Sequence, residues 1–265
     1  MGETWTVTAP PPPRQGVASG PPTTEGPVAD AAVLRPPAPD PDADSLTHAL
    51  SHDLRAPLRA IEGYAQALVE DYGDRLPDQA REFVSRIRQA RRTVEDRVDA
   101  LLRLSRLGHG ALHSDPTDLA PVVSRILEDL ARTEPGRRVA TRVADRIPVL
   151  GDPALLGIAI ENLLTNAWKF TRRAACPLIT VAVTRAGDDV VISVSDNGIG
   201  FDMRQAHRLG VPFQRLHAPG AFEGLGIGLA SARRIVERHG GRLWAESVPG
   251  QGATFHLSLP AAPPD

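Results

Sequence analysis

The sequence predicts a two-part molecule of the multidomain α and α+β class, an antiparallel helical hairpin followed by an α/β sandwich. Three observations predict it. Two apolar stripes of helical period flank a Gly73-Asp74-Arg75-Leu76-Pro77 break. From about residue 117 onward, helix-like and strand-like segments alternate. Ahead of both, residues 1–44 hold 11 of the 25 prolines and few large apolar groups. Such a stretch buries too little surface to offset its ordering entropy, so 1–44 is expected to be a disordered tail.

The first stripe runs Leu50, Leu54, Leu58, Ile61, Ala65, Leu68, and the second Phe83, Ile87, Ala90, Val94, Val98, Leu101. Joined by a short loop they form a hairpin over 45–108. A lone hairpin leaves an apolar face in water, so two copies are expected to pair into a four-helix bundle, making the chain a homodimer. Residues 109–116 read as a linker and 117–260 as the second domain, with 261–265 a short tail.

Within that domain Leu119–Leu130 is expected to be helical and Arg138–Val143 a strand. Asp152-Pro153 supplies an N-cap and a first-turn proline for a helix reaching Phe170. Ile179–Thr184 and Val190–Ser195 alternate around Gly187-Asp188 as a β-hairpin. Ile227–His239 reads as a helix stopped by Gly240-Gly241. Arg242–Glu246 and Ala253–Leu259 complete the sheet.

Composition excludes several classes. A net charge of −2 argues against a nucleic-acid binder. One cysteine, Cys176, excludes an internal disulfide and suits a reducing compartment. No apolar run is long enough to span a bilayer and no leader pattern opens the chain, so a cytoplasmic protein without membrane insertion is expected. Lys169 is the only lysine among 30 basic residues, which suggests that a compact ammonium is wanted at that position.

Chemistry enters at Ser51-His52-Asp53-Leu54-Arg55-Ala56-Pro57-Leu58. With Leu50 at zero on a helical wheel, the stripe averages about 30° and His52 falls at about 200°, opposite the buried face. A histidine there is either a solvated residue without a role or a group presented for modification. A neutral imidazole attacks phosphorus through one nitrogen while the other carries the proton, and Asp53 is the candidate to orient or deprotonate it. Pro57 removes the amide that would bond the Asp53 carbonyl and is expected to bend the helix. His48, one turn earlier, is the alternative acceptor.

Asn162 and Asn166 are i, i+4 neighbours with Lys169 close by, a polar stripe on an otherwise apolar helix. They are either solvated asparagines or amide ligands for Mg²⁺ already carrying phosphate oxygens, with the ammonium on a phosphate. Asp196-Asn197-Gly198-Ile199-Gly200 is either a tight turn or a place where a carboxylate accepts from adenine beside backbone that approaches closely. Phe201–Glu223 is too long for an ordinary connection and is expected to be a lid or disordered. In it Phe213 offers an anchor and Arg215 a cation for phosphate. Gly224, Gly226 and Gly228 then open a helix whose amides face an anion, without the spacing of a dinucleotide fingerprint.

Taken in order, these motifs resemble the two-component sensor histidine kinases, over about Ser45 to Pro260, and look nearest to the kinase modules of phytochrome-like proteins. The resemblance implies a phospho-acceptor and dimerisation hairpin with His52 as acceptor, followed by an ATP-binding sandwich of the Bergerat or GHKL type. By the same resemblance, Asn162, Asn166, Lys169, Asp196, Gly198, Gly200, Phe213, Arg215, Gly224, Gly226, Gly228 and Thr254 bind ATP with Mg²⁺. Thr254 matches the hydroxyl that helps hold adenine. The phosphoryl group is implied to pass from His52 to an aspartate on a response-regulator receiver domain.

Three departures carry expectations. No sensory domain is expected ahead of the hairpin, so input is assigned to the tail or to a separate sensor protein. Ala56 stands four residues after His52, where relatives that dephosphorylate their regulators carry Thr or Asn, so weak phosphatase activity is expected. Asn162 stands where ATP-hydrolysing relatives carry a glutamate, which favours transfer to His52 over release to water. The competing readings are a non-catalytic dimeric scaffold and an ATPase or serine kinase of the same nucleotide fold.

Overall fold

The computed structural model describes residues 32–33, 41–108, 111–216 and 224–263, with side chains from Asp53 onward. Helix α1 (Pro41–Tyr72) runs continuously through Pro57, and a turn of 3₁₀ helix at Gly73–Arg75 returns the chain into α2 (Asp78–Arg106). Cross-links fix the register of this antiparallel pair. Arg55 donates to Asp99 at 2.8 Å, and Glu62 meets Arg91 at 2.7 Å and Arg88 at 3.0 Å.

The stripes behave differently from the expectation. Leu58 and Ala65 are buried, but Leu54, Ile61 and Leu68 stay about 42% exposed. On α2, Val84 and Val98 turn inward while Phe83, Ile87 and Val94 remain exposed. One helix presents only a line of contact, and a stripe wider than that line cannot be covered by a single neighbour.

The second domain follows as β2 (Asp115–Asp118), α3 (Ala120–Thr133), β3 (Ala140–Val143), β4 (Pro148–Gly151), α4 (Pro153–Phe170), β5 (Leu178–Ala186), β6 (Asp189–Asp196), α5 (Gly228–Arg238), β7 (Arg242–Val248) and β8 (Gly252–Pro260). Asp152 caps α4 as expected, accepting from the amides of Ala154 and Leu155. Its own amide donates to Nε2 of the buried His239, whose Nδ1 therefore carries the proton and donates to the Ile235 carbonyl. One imidazole thus ties the end of α5 to the start of α4.

The main sheet has the order β1-β7-β8-β6-β5-β3, where β1 is Ala32–Val33. Only the β3–β5 pair is parallel. Alternate residues such as Ile192, Val194, Leu243, Phe255 and Leu257 join Leu163, Leu164 and Ile235 of the helices in one aliphatic core. The other face is more polar, with Trp244 stacked on His256 and Ser193 Oγ 2.8 Å from His256 Nδ1.

Three boundaries need correction. Helix α1 begins at Pro41, ahead of Ser45, and Ala32–Val33 of the expected disordered tail pair with Ala245 and Trp244 of β7. The remaining residues up to 40 lie outside the described ones. Asp115 and Pro116 of the expected linker belong to β2, which pairs with β4 in a second, two-stranded sheet.

Candidate functional site

A cavity of about 740 Å³ opens beside α4, a size suited to a nucleotide. It is lined by Asn162, Asn166 and Lys169 from α4, by Asp196 and Gly200 after β6, and by Arg215, Gly224, Gly226 and Gly228 ahead of and at the start of α5. Nine of the twelve expected ATP-binding residues therefore meet on one surface.

Asp196 marks one end. Burial pushes its carboxyl up to about 6, against the pull of the Gly198 and Ala253 amides. Its Oδ1 accepts from the Gly198 amide at 2.8 Å. Gly198 thus orients the carboxylate and does not itself line the cavity. Gly200 is at φ +58, and a Cβ there would lie 2.2 Å from the Val248 carbonyl oxygen, so only glycine lets the chain pass. Phe201, Phe255 and Ala253 supply apolar walls that the motif reading missed. The aromatic pair is legible only once strands β6 and β8 are known to be neighbours.

At the other end, Asn162 Nδ2 donates to the Ile158 carbonyl, leaving Oδ1 as the atom turned toward Gly228. Lys169 Nζ sits 4.4 Å from the centre of the Phe170 ring. Burial, then the neighbouring Arg215 and Arg172, hold its ammonium below the usual lysine range. Lys169, Arg172 and Arg215 thus stand close enough to oppose one another's charge, an arrangement suited to an anion.

Two expected residues lie elsewhere. Thr254 Oγ1 donates to Ser195 Oγ at 2.9 Å. Its neighbours Ala253 and Phe255 line the cavity, so strand alternation turns Thr254 to the opposite face. The position paired with Asp196 is Ala253, which brings no hydroxyl. Phe213 likewise does not line the cavity. Its φ of +65 is unusual for an aromatic residue and is held by donation of its amide to the Gly226 carbonyl at 3.0 Å. It joins the two sides of the Phe201–Glu223 segment, whose residues 217–223 lie outside the described ones. The described part of that segment is not irregular throughout. Met203–Arg208 forms 3₁₀ helix, and Arg208 bonds Gln214 and the Arg215 carbonyl.

His52 and His48 both fall within α1. The expectations that the His52 ring faces solvent and that His48 is the alternative lie outside the described side chains. Asp53 and Ala56 are exposed. Extending the register set by Arg55–Asp99 by one turn puts His52 opposite Leu102–Arg103 of α2. Arg103, with Arg106 and Leu107 one turn further on, lines the same cavity. Leu107 packs on the core of the second domain, and its carbonyl accepts from Arg238 at 2.8 Å. The cavity and the turn carrying His52 therefore share one end of the hairpin.

Comparison with known proteins places both halves. Residues 43–110 match the "His Kinase A (phospho-acceptor) domain" model, and 151–263 match the "Histidine kinase-, DNA gyrase B-, and HSP90-like ATPase" model. The chain is 34% identical to Cyanobacterial phytochrome B of Nostoc sp. over 82% of its length, and 36% identical to sensor histidine kinase TrcS of Mycobacterium tuberculosis over 79%. It spans 29% and 42% of those relatives. The full-length structure of ShkA in complex with AMPPNP superposes with a TM-score of 0.58 at 28% identity, covering 83% of this chain and 46% of that one. With both domains matched in order and the pocket assembled between them, the chain belongs to the sensor histidine kinases.

Proposed function

We propose that the chain is an ATP-dependent kinase that phosphorylates its own His52 and passes the phosphoryl group to an aspartate on a response-regulator receiver domain. The observation that carries this reading is the nucleotide cavity opening against the α2 turn that lies opposite His52.

Asp196 accepts from the exocyclic amine of adenine, and Phe201 and Phe255 enclose the ring. Lys169 and Arg215 neutralise phosphate, with Gly224, Gly226 and the start of α5 closing around it. The amide oxygens of Asn162 and Asn166 suit a Mg²⁺ already held by phosphate oxygens, and that ion would offset charge on the transferring group. The His52 nitrogen then forms a bond to the γ-phosphorus as the bond to ADP oxygen breaks. Asp53 takes or stabilises the proton left on the other ring nitrogen.

The exposed stripe Leu54, Ile61, Leu68, Phe83, Ile87, Val94 supports a homodimer in which the hairpins form a four-helix bundle. Among the described residues no helix is long and apolar enough to cross a membrane. A cytoplasmic site of action, with input from a separate sensor protein, completes the reading. Ala56 brings no side chain able to orient water, so regulator dephosphorylation by this chain is weak.

The test is labelling with ATP marked at its γ-phosphate. Acid-labile, base-stable label is expected on the chain and absent from His52→Gln. Label that survives the substitution, or that is stable to acid, would overturn the assignment.

A further inference from the structure

The nucleotide cavity is not walled by the catalytic domain alone. Arg103 and Arg106 come from the last turns of α2, on the other domain. Leu107, on the same stretch of α2, is held by Arg238 at the end of α5 that His239 ties to the start of α4, whereas Gly198 beside Asp196 lies against Phe170 at the end of α4. The arginines therefore stand toward the end of the cavity away from Asp196, the phosphate end in the reading above. Their placement is structural. Leu107 is seated on the core of the catalytic domain and Arg238 grips its carbonyl, which fixes the last turn of α2 against the cavity mouth.

The backbone of α2 cannot hold an anion here, because a helix ends with its negative pole. Any attraction must come from the guanidinium groups, which reach beyond the backbone and match phosphate oxygens in pairs. The hairpin register sets Arg103 at the level of His52, so an anion on these arginines stands next to the acceptor turn.

We propose that Arg103 and Arg106 bind the terminal phosphate of ATP, so that the nucleotide itself bridges the catalytic domain and the hairpin and sets its γ-phosphate at the height of His52. This rests on the reading of the cavity as an ATP site. It adds that the hairpin reads the third phosphate. ATP locks the two domains together, and ADP, which stops one phosphate short, leaves them free to part for the regulator.

The test uses the full chain carrying His52→Gln, which removes turnover, and compares magnesium-ATP with magnesium-ADP affinity by calorimetry. Arg103→Ala with Arg106→Ala should weaken ATP about tenfold, the scale of a charge-assisted hydrogen bond. ADP should move less than twofold. Arg103→Lys with Arg106→Lys should recover part of the loss, which a purely structural role for the stems would not distinguish by nucleotide. Equal losses for the two nucleotides, or no loss for either, would overturn the proposal while leaving the ATP site standing. If the His52→Gln chain binds neither nucleotide, the ATP-site reading fails and the proposal fails with it.

Discussion

Two side chains in the cavity are held away from their ordinary ionisation, in opposite senses. Burial raises Asp196 and depresses Lys169. Each is displaced toward its neutral form, and each is suited to a ligand that restores its charge, since adenine donates to a carboxylate and phosphate accepts from an ammonium. The Asp196 carboxyl lies near 6 in the folded protein against an ordinary 3.8, so the fold gains stability from this group as pH falls through 6. The nucleotide requires the ionised form, so its affinity should fall over the same range, by up to about tenfold at one unit below the midpoint. Binding titrations between pH 7.5 and about 5 check this, and a flat profile would remove Asp196 from the adenine contact. The residue scale also shows what linear motifs conceal. Gly200, Asn162 and Asn166, which do line the cavity, stand in short local patterns that the chain order alone displays. Thr254 was not legible, because its face depends on the register of β8 against β6, which no local pattern contains.

At the scale of elements, legibility followed length. Helices α1, α2 and α4 announce themselves by period and by caps such as Asp152-Pro153. Strands β2 and β4 do not. Each has four residues, each contains a proline, and β2 reads Asp-Pro-Thr-Asp with no alternating apolar face. The hairpin was legible in kind but not in packing. Its stripe is half covered within one chain, with Ile61 still 42% exposed. Ile61→Glu should therefore leave the helices formed while converting the dimer to monomer, as followed by sedimentation. A variant that remains dimeric would place the dimer contact elsewhere on the molecule.

The whole molecule is two cores of unequal size. The catalytic domain has a continuous aliphatic cluster from Leu119 to Leu259, whereas the hairpin buries only residues such as Leu58, Ala65, Val84, Val98 and Leu102. Heating should give two transitions. The lower, from the hairpin, should rise with protein concentration, because pairing completes its core, and the upper should not. A single transition independent of concentration would contradict a dimeric stalk.

The pairing of Ala32–Val33 with β7 bears on how freely these bodies can separate. Seven residues separate Val33 from Pro41, so the chain between them reaches no more than roughly 28 Å. Leu107 leads toward β2 from the opposite helix, and because the hairpin is antiparallel both connections leave the same end of it. The sheet domain is therefore tied twice to the end of the hairpin that carries His52, the end remote from the turn at Gly73.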